Sequence, residues 1–187
     1  MAEQREDRRI RRTKRLLRQA LAELMNEKDF KDITVKEITD RADLNRGTFY
    51  FHYTDTYDLR NQIEDELVRD FTQVLSSYQP TAEDYSARPM LKQAVSFVEG
   101  QKFLVRTLFQ CNADGSLQTK FMKVIEEIIV KIRDQMHGDA QNRIYHCRYM
   151  SCGVIGCVNL WLQGGDGMTA EGLIDALDEM IQCVLRP

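Results

Sequence analysis

Apolar residues along the first third of the chain recur at helical spacing. Ile10, Thr13, Leu17, Ala20, Leu21, Leu24 and Met25 fall on one face, which predicts a helix over residues 8–28. Phe30 and Ile33 bridge to the next element. Thr34-Val35-Lys36-Glu37 has the form of a capping box, in which the Thr hydroxyl accepts from the Glu N–H and the Glu carboxylate reaches back to the Thr N–H. A second helix therefore starts at Val35 and runs to about Ala42. Asp43 stands where the chain must turn, and Asp tolerates left-handed backbone better than most residues, though less well than Gly. A third helix runs from about Asn45 to Phe51. Phe30, Val35, Ile38, Ala42, Leu44, Phe49, Tyr53 and Leu59 are the candidate core joining these helices. Lys36, Asn45, Arg46, Thr48, Tyr50, Phe51 and His52 are left facing outward.

Asp55 reads as the cap of a fourth helix, from about Thr56 to Ser77. The segment from Gln79-Pro80 to Arg88-Pro89 is the only interior stretch bearing Pro, and is expected to be a mobile loop. Helices follow over Met90–Glu99 and Lys102–Gln110. Asp114-Gly115 breaks the chain, and Ser116 caps a long helix to Met136 with the stripe Leu117, Phe121, Val124, Ile125, Ile128 and Ile132, ended by His137-Gly138. The next runs from about Ala140 to Gln163, stopped by Gly164-Gly165. The last begins after Thr169 with the stripe Ala170, Leu173, Ile174, Leu177, Ile181 and Val184. No strand-like alternation and no internal repeat stands out. The expected fold class is all-α, with about nine helices.

A short helix, a tight turn and a second short helix carrying Arg, Thr, Tyr and His is the layout of a helix-turn-helix, whose second helix enters the DNA major groove. The net charge of -3 looks wrong for such a role, but its distribution is uneven. Residues 1–60 hold 14 Lys and Arg against 12 Asp and Glu, whereas the remainder holds 12 against 17. Arg5, Arg8, Arg9, Arg11, Arg12, Lys14, Arg15 and Arg18 crowd the start. A basic start and an acidic remainder suit a phosphate-facing end on a body that stays off the DNA. A solvated basic helix face is the plainer account of the same residues.

The five cysteines form no Cys-x-x-Cys pair, and their odd number argues against a disulfide framework. Cys147, Cys152 and Cys157 recur every five residues, a step of about 140° on a helix, so they cannot share a metal. They read as small buried apolar side chains, with a redox-sensing thiol as the alternative. No stretch approaches the ~20 apolar residues of a membrane span, and the Arg-rich start lacks the apolar run of a secretory signal, so a cytoplasmic location is expected. An enzyme is disfavoured. The three His are His52, His137 and His146, and there is no Gly-x-Gly-x-x-Gly, no phosphate loop and no paired His ligands. No cofactor and no metal are expected.

At Thr48-Phe49-Tyr50 and its flanks the sequence resembles the TetR (tetracycline-repressor-like) family of bacterial regulators. The resemblance rests on Phe30, Thr34-Val35-Lys36-Glu37-Ile38, Ala42-Asp43-Leu44 and Asn45-Arg46-Gly47-Thr48-Phe49-Tyr50-Phe51-His52-Tyr53, and covers about residues 8–62. Beyond that only size and helical character match. It implies a helix-turn-helix head over 1–54 and a helical effector-binding and dimerisation body over 55–187. The DNA-binding positions it implies are Thr34, Lys36, Asn45, Arg46, Gly47, Thr48, Tyr50, Phe51 and His52. Lys36 and Arg46 are the candidate base readers; Thr48 and Phe51 would meet base edges or methyls; Thr34, Tyr50 and His52 would hold phosphates. Plainer roles stay open for three of them: Arg46 as a solvated charge, Tyr50 as a core plug and His52 as a helix-end cap. The sequence departs from the family at Asp43, where Gly is usual, and at Thr56, where a phosphate-pairing Lys is frequent.

In the resembled family the last two helices pair across a two-fold axis, so the implied homodimer interface includes Cys152, Gly153, Gly156, Leu160, Leu173, Leu177 and Ile181. Helix eight is apolar on more than one face, and Ser151, Gly153 and Gly156 keep it thin; a helix buried inside a monomer core is the alternative. The pool for an effector pocket is Phe97, Phe103, Phe109, Phe121, Met122, Tyr145, Tyr149 and Met150, with an apolar or amphipathic small molecule as the preferred effector. The expected function is a DNA-binding transcriptional regulator, a repressor that binds a pseudo-palindromic operator as a homodimer and is released by its effector through a population shift. The alternative is an effector-binding or protein-partner regulator (a coactivator) with weakened DNA binding, motivated by Thr56 and the acidic body.

Overall fold

The computed structural model describes the backbone of residues 2–76, 78, 86–110, 115–136, 143–164 and 167–185. Among these, the elements are nine α-helices and one 3-10 turn, with no strand. They divide into two compact units, one built chiefly from residues up to Leu67 and the other from Val68 onward.

The first unit holds α1 (Ala2–Glu27), a 3-10 turn (Phe30–Asp32), α2 (Val35–Arg41), α3 (Arg46–His52) and the first turns of α4 (Thr56–Ser76). Its core is Leu17, Leu21, Ile38, Phe49, Leu59 and Ile63, all essentially sealed from water. Of the expected core, Val35 and Leu44 are only half-buried. Each short helix owes its ends to identifiable hydrogen bonds. At α2 the Glu37 N–H donates to Thr34 Oγ1 at 3.3 Å, and Glu37 Oε2 accepts from the Thr34 N–H at 3.0 Å, completing the capping box. At α3 Asn45 Oδ1 accepts from the Thr48 N–H at 2.7 Å. At α4 Asp55 Oδ1 accepts from the Asp58 N–H at 2.8 Å, and Asp58 Oδ2 accepts from the Thr54 N–H at 2.9 Å.

The turn between α2 and α3 is a Schellman motif. The Leu44 N–H donates to Thr39 O at 2.9 Å and the Asp43 N–H to Asp40 O at 3.3 Å. This geometry needs a left-handed residue after Ala42. Asp43 takes it with φ of 54°, the only non-Gly residue with positive φ among the described residues. A buried ion pair lies deeper in the same unit. Arg60 Nε stands 3.7 Å from Glu64 Oε1, the Glu64 side chain is fully enclosed, and the guanidinium lies 4.5 Å over the Phe30 ring.

The second unit holds the rest of α4 with α5 (Arg88–Gly100), α6 (Lys102–Gln110), α7 (Ser116–Met136), α8 (Arg143–Gln163) and α9 (Ala170–Leu185). α8 packs on α7 and α9, and α9 packs on α5. Phe71 stacks on Phe121 at 4.6 Å between ring centres, with Phe97 and Phe109 at its flanks. Arg88 ties α5 to Glu171 and Asp175 of α9. Arg88 and Pro89 therefore belong to α5 rather than to the expected loop. Pro is tolerated there because the first N–H groups of a helix have no intrahelical partner. The expected mobile stretch over 79–85 and the helix end at His137-Gly138 lie outside the described residues. α7 opens at Ser116, which places Gly115, at φ of 58°, in the cap position expected for Ser116.

Candidate nucleic-acid interface

α3 divides its seven residues between two jobs. Phe49 is fully buried and Tyr53, just after the helix, nearly so. Asn45, Arg46, Gly47, Tyr50 and Phe51 are exposed, with Phe51 at 78% and Tyr50 at 58%. A phenyl ring left that bare at the end of a rigid, capped helix is unusual for a surface with nothing to meet. Lys36, one turn into α2, is exposed as well. Tyr50 therefore does not plug the core; Phe49 does.

Several polar groups of the expected site are already engaged. The Thr34 hydroxyl donates to Glu37 Oε2 at 2.8 Å, so both donors of Thr34 serve the α2 cap, and a phosphate would compete with Glu37 for them. The Thr48 hydroxyl donates to Asn45 Oδ1 at 2.9 Å, which commits Asn45 and Thr48 to the α3 cap. A Cβ at Gly47 would stand 3.4 Å from that same Asn45 oxygen, in contact with the cap. His52 is half-buried, and burial followed by the nearby Lys14 charge pulls its pKa below the ordinary imidazole value. It stays neutral at pH 7 and meets Phe51 edge-on at 4.9 Å. Arg46, Lys36, Tyr50 and Phe51 are the exposed side chains of the set that no helix cap engages, two cations able to meet guanine O6 and N7 beside rings able to cover thymine methyls and sugars.

The structure ties two residues of the basic start to the end of α3. Lys14 of α1 is near enough to His52 to depress its pKa, and Arg18 hydrogen-bonds the Tyr53 hydroxyl, whose burial raises the phenol above its ordinary value. Both cations also pair with Glu66. Arg41, by contrast, is held by Glu27 through two hydrogen bonds of 2.9 Å and takes no part in the exposed face.

In the second unit a narrow cavity of about 90 Å³ is lined almost wholly by apolar side chains. Phe71 and Leu75 of α4, Leu91, Val95 and Val98 of α5, Phe121 of α7, Met150 and Trp161 of α8, and Leu173 and Leu177 of α9 form its walls. Of the expected pocket pool, only Phe121 and Met150 line it. Phe97 and Phe109 pack against Phe71 and Phe121, and Met122 sits beside Arg148 and Cys152 on the surface side. Phe103, Tyr145 and Tyr149 are more than half exposed and do not line this cavity.

The expected dimer face also changes. Tyr145, Tyr149, Cys152, Gly153, Gly156 and Leu160 follow one another at helical spacing and are all exposed, a single bare stripe along α8. Leu173, Leu177 and Ile181 are all buried within the protomer, and the last two also border a groove between α8 and α9 whose lining includes Tyr149, Met180 and Cys183. On α9 the exposed positions are Glu171, Asp175, Glu179, Met180 and Cys183, because the apolar stripe of that helix turns inward. Cys152 and Cys183 are exposed rather than buried; Cys147 is buried as expected and Cys157 half so. No described helix is long and apolar enough to cross a membrane.

Comparison with known proteins follows these two units. Residues 17–63 match the family model for bacterial regulatory proteins of the tetR family, and residues 86–183 match a transcriptional regulator C-terminal region. No curated protein sequence matches the chain. Among solved structures, a TetR transcriptional regulator from Streptococcus agalactiae aligns with a TM-score of 0.67 and 21% identity over 96% of this chain and 98% of that one. The transcriptional regulator FadR from Bacillus subtilis, solved in complex with stearoyl-CoA, aligns at 0.65 with 16% identity over 91% and 98%. The dihydroxyacetone kinase operon activator DhaS aligns at 0.61 with 18% identity over 92% and 94%. These likenesses establish the fold, and the two family models, the second spanning just over half the chain, establish that this protein belongs to the TetR family of DNA-binding bacterial transcriptional regulators.

Proposed function

We propose that the protein is a homodimeric repressor. Its head (1–54) lays α3 into successive major grooves of a pseudo-palindromic operator, and its body (55–187) dimerises and binds an effector. It acts by binding and not by catalysis. The observation that carries this is the exposed set Lys36, Arg46, Tyr50 and Phe51 on a capped helix pair whose inner face is sealed by Phe49 and Ile38. Arg46 and Lys36 read bases, Tyr50 and His52 hold backbone, and Phe51 covers a thymine methyl.

The bare α8 stripe supports the dimer. Tyr145, Tyr149 and Leu160 flank Gly153 and Gly156, large apolar groups beside positions that let helix backbones approach closely. The apolar cavity supports a lipophilic effector. At about 90 Å³ it is far below the roughly 300–1,000 Å³ of a drug-sized pocket, so the occupant is slender or widens its site. FadR of Bacillus subtilis was solved in complex with stearoyl-CoA, and a single acyl chain fits the chemistry of this lining. An effector that separated Phe71 and Leu75 from α5 would bias α4 and favour a head spacing unfit for the operator.

A second reading, a coactivator with weakened DNA binding, draws on the start of α4. There Thr56 is buried and the carboxylates Asp55 and Asp58 cap the helix, so position 56 offers no cation to a phosphate. DhaS is itself an operon activator. A gel shift with the chain's own upstream DNA separates the two. The repressor reading expects a specific shift that weakens steeply with salt. Arg46→Ala should cost roughly 1–3 kcal/mol at one base position and relax preference there. No shift on any neighbouring promoter favours the coactivator, and equal loss on every sequence makes Arg46 a phosphate contact.

A further inference from the structure

α1 begins well before the core it serves. Among its described side chains, burial starts only at Thr13 and continues through Leu17, Ala20, Leu21 and Leu24. On the opposite side stand Arg8, Arg12 and Arg15, spaced by four and three residues and therefore neighbours on one face. All three are exposed, and none makes an ion pair with any described residue. Like charges at this spacing repel and weaken the helix that carries them. Several other cations of the head differ: Lys14 and Arg18 pair with Glu66, Lys28 with Glu37, and Arg41 with Glu23 and Glu27.

The course of α1 past α3 is marked by two other cations of the same helix. Lys14 lies beside His52, and Arg18 reaches the Tyr53 hydroxyl, so this flank of α1 abuts the C-terminal end of α3. The basic arc continues from that flank through Arg11 to Arg15, Arg12 and Arg8. From Lys14 back to Arg8 the helix rises about 9 Å, more than two base-pair steps of ~3.4 Å.

Resting on the operator-binding reading above, we propose that Arg8, Arg12 and Arg15 form a second DNA contact, lying along the phosphates that flank the groove entered by α3, on its His52 side. Guanidinium forks suit phosphate oxygens. The contact adds affinity and salt dependence without base preference, and supplies the charge that the start of α4 does not.

The test uses the full chain with Arg8→Gln, Arg12→Gln and Arg15→Gln combined. Gln matches Arg in helix propensity, and an unchanged urea melt and circular dichroism spectrum confirm the fold. Fluorescence anisotropy on an operator fragment should show a salt slope shallower by about 0.9 for each phosphate left without its cation, and affinity lower on the order of tenfold or more near 0.15 M salt. The drop should be equal on the operator and on base-changed versions of it. Phosphate ethylation beyond the α3 footprint should interfere with the wild type and not with the variant, and the matching triple Lys variant should keep the wild-type slope. An unchanged slope and affinity would overturn the proposal, as would a drop confined to particular base pairs. If the wild type binds DNA with α3-dependent specificity while the Gln variant is unaltered, only this proposal falls; if the wild type binds no DNA, the operator reading falls with it.

Discussion

Replacing Asp43 by Gly and by Val puts the turn of the helix-turn-helix to a quantitative test. The residue has φ of 54° and its backbone closes the Schellman motif after α2, so the conformation cannot relax without breaking the bonds to Thr39 and Asp40. An L residue in that region gives up about 1–2 kcal/mol, with Asp near the lower end. Gly removes that term but loses about 0.5–1 kcal/mol to the greater freedom of the unfolded chain. The expected net for Asp43→Gly is a gain of about 0.5 kcal/mol. Val carries the full steric term and its branched Cβ, so Asp43→Val should lose about 1 kcal/mol or more. The difference between the two variants, about 1.5 kcal/mol or more, is the robust quantity, because the exposed Asp43 side chain has little else to contribute. Urea unfolding followed by circular dichroism reads it. Gly and Val variants within about 0.5 kcal/mol of each other would mean that the turn does not hold residue 43 in the left-handed region.

Two further outcomes follow from other parts of the chain. Hydrogen bonds from Lys28 and then Thr34 hold the Glu37 carboxyl down from its ordinary 4.5 to about 2. Its contribution to stability is present above about pH 5 and is lost as pH falls from there through about 2, because the unfolded state takes up the proton first. The stability gap between wild type and Glu37→Gln should therefore shrink as urea melts move from about pH 6 toward about pH 3; a gap independent of pH contradicts the capping arrangement. Trp161, the single Trp, is buried in the cavity wall with its Nε1–H donating to Met168 O at 3.1 Å. A long-chain acyl amphiphile should change its emission saturably, and Val95→Phe, which narrows the cavity, should abolish the change; a signal that survives this substitution places the ligand elsewhere.

Much of the first unit was legible because short helices leave little freedom. A capping box at Thr34, an Asn cap at Asn45 and an Asp cap at Asp55 mark the ends, and Phe49 and Ile38 leave only one way to turn the outer residues. The body was less legible for a physical reason. α8 carries apolar residues on both sides, and periodicity does not say which side meets the protomer's own core. Tyr145 and Tyr149 thus read as pocket residues although they face outward, and Leu173 as part of the dimer face although it is buried. The cavity walls contributed by α4 and α5 are ordinary Leu, Val and Phe, which carry no sign of a ligand site until the helices are packed. The tie of Lys14 and Arg18 to the end of α3 is tertiary and leaves no local pattern, and the enclosure of Glu64 leaves no trace beyond its spacing from Arg60.

Hydroxyl-radical footprinting of the purified chain on its own upstream DNA is the most direct measurement. It should show two protected stretches roughly 34–36 Å apart, related by dyad symmetry and both absent with Arg46→Ala and Phe51→Ala combined. A single protected stretch, or protection indifferent to those two side chains, would contradict a symmetric pair of heads reading DNA through α3.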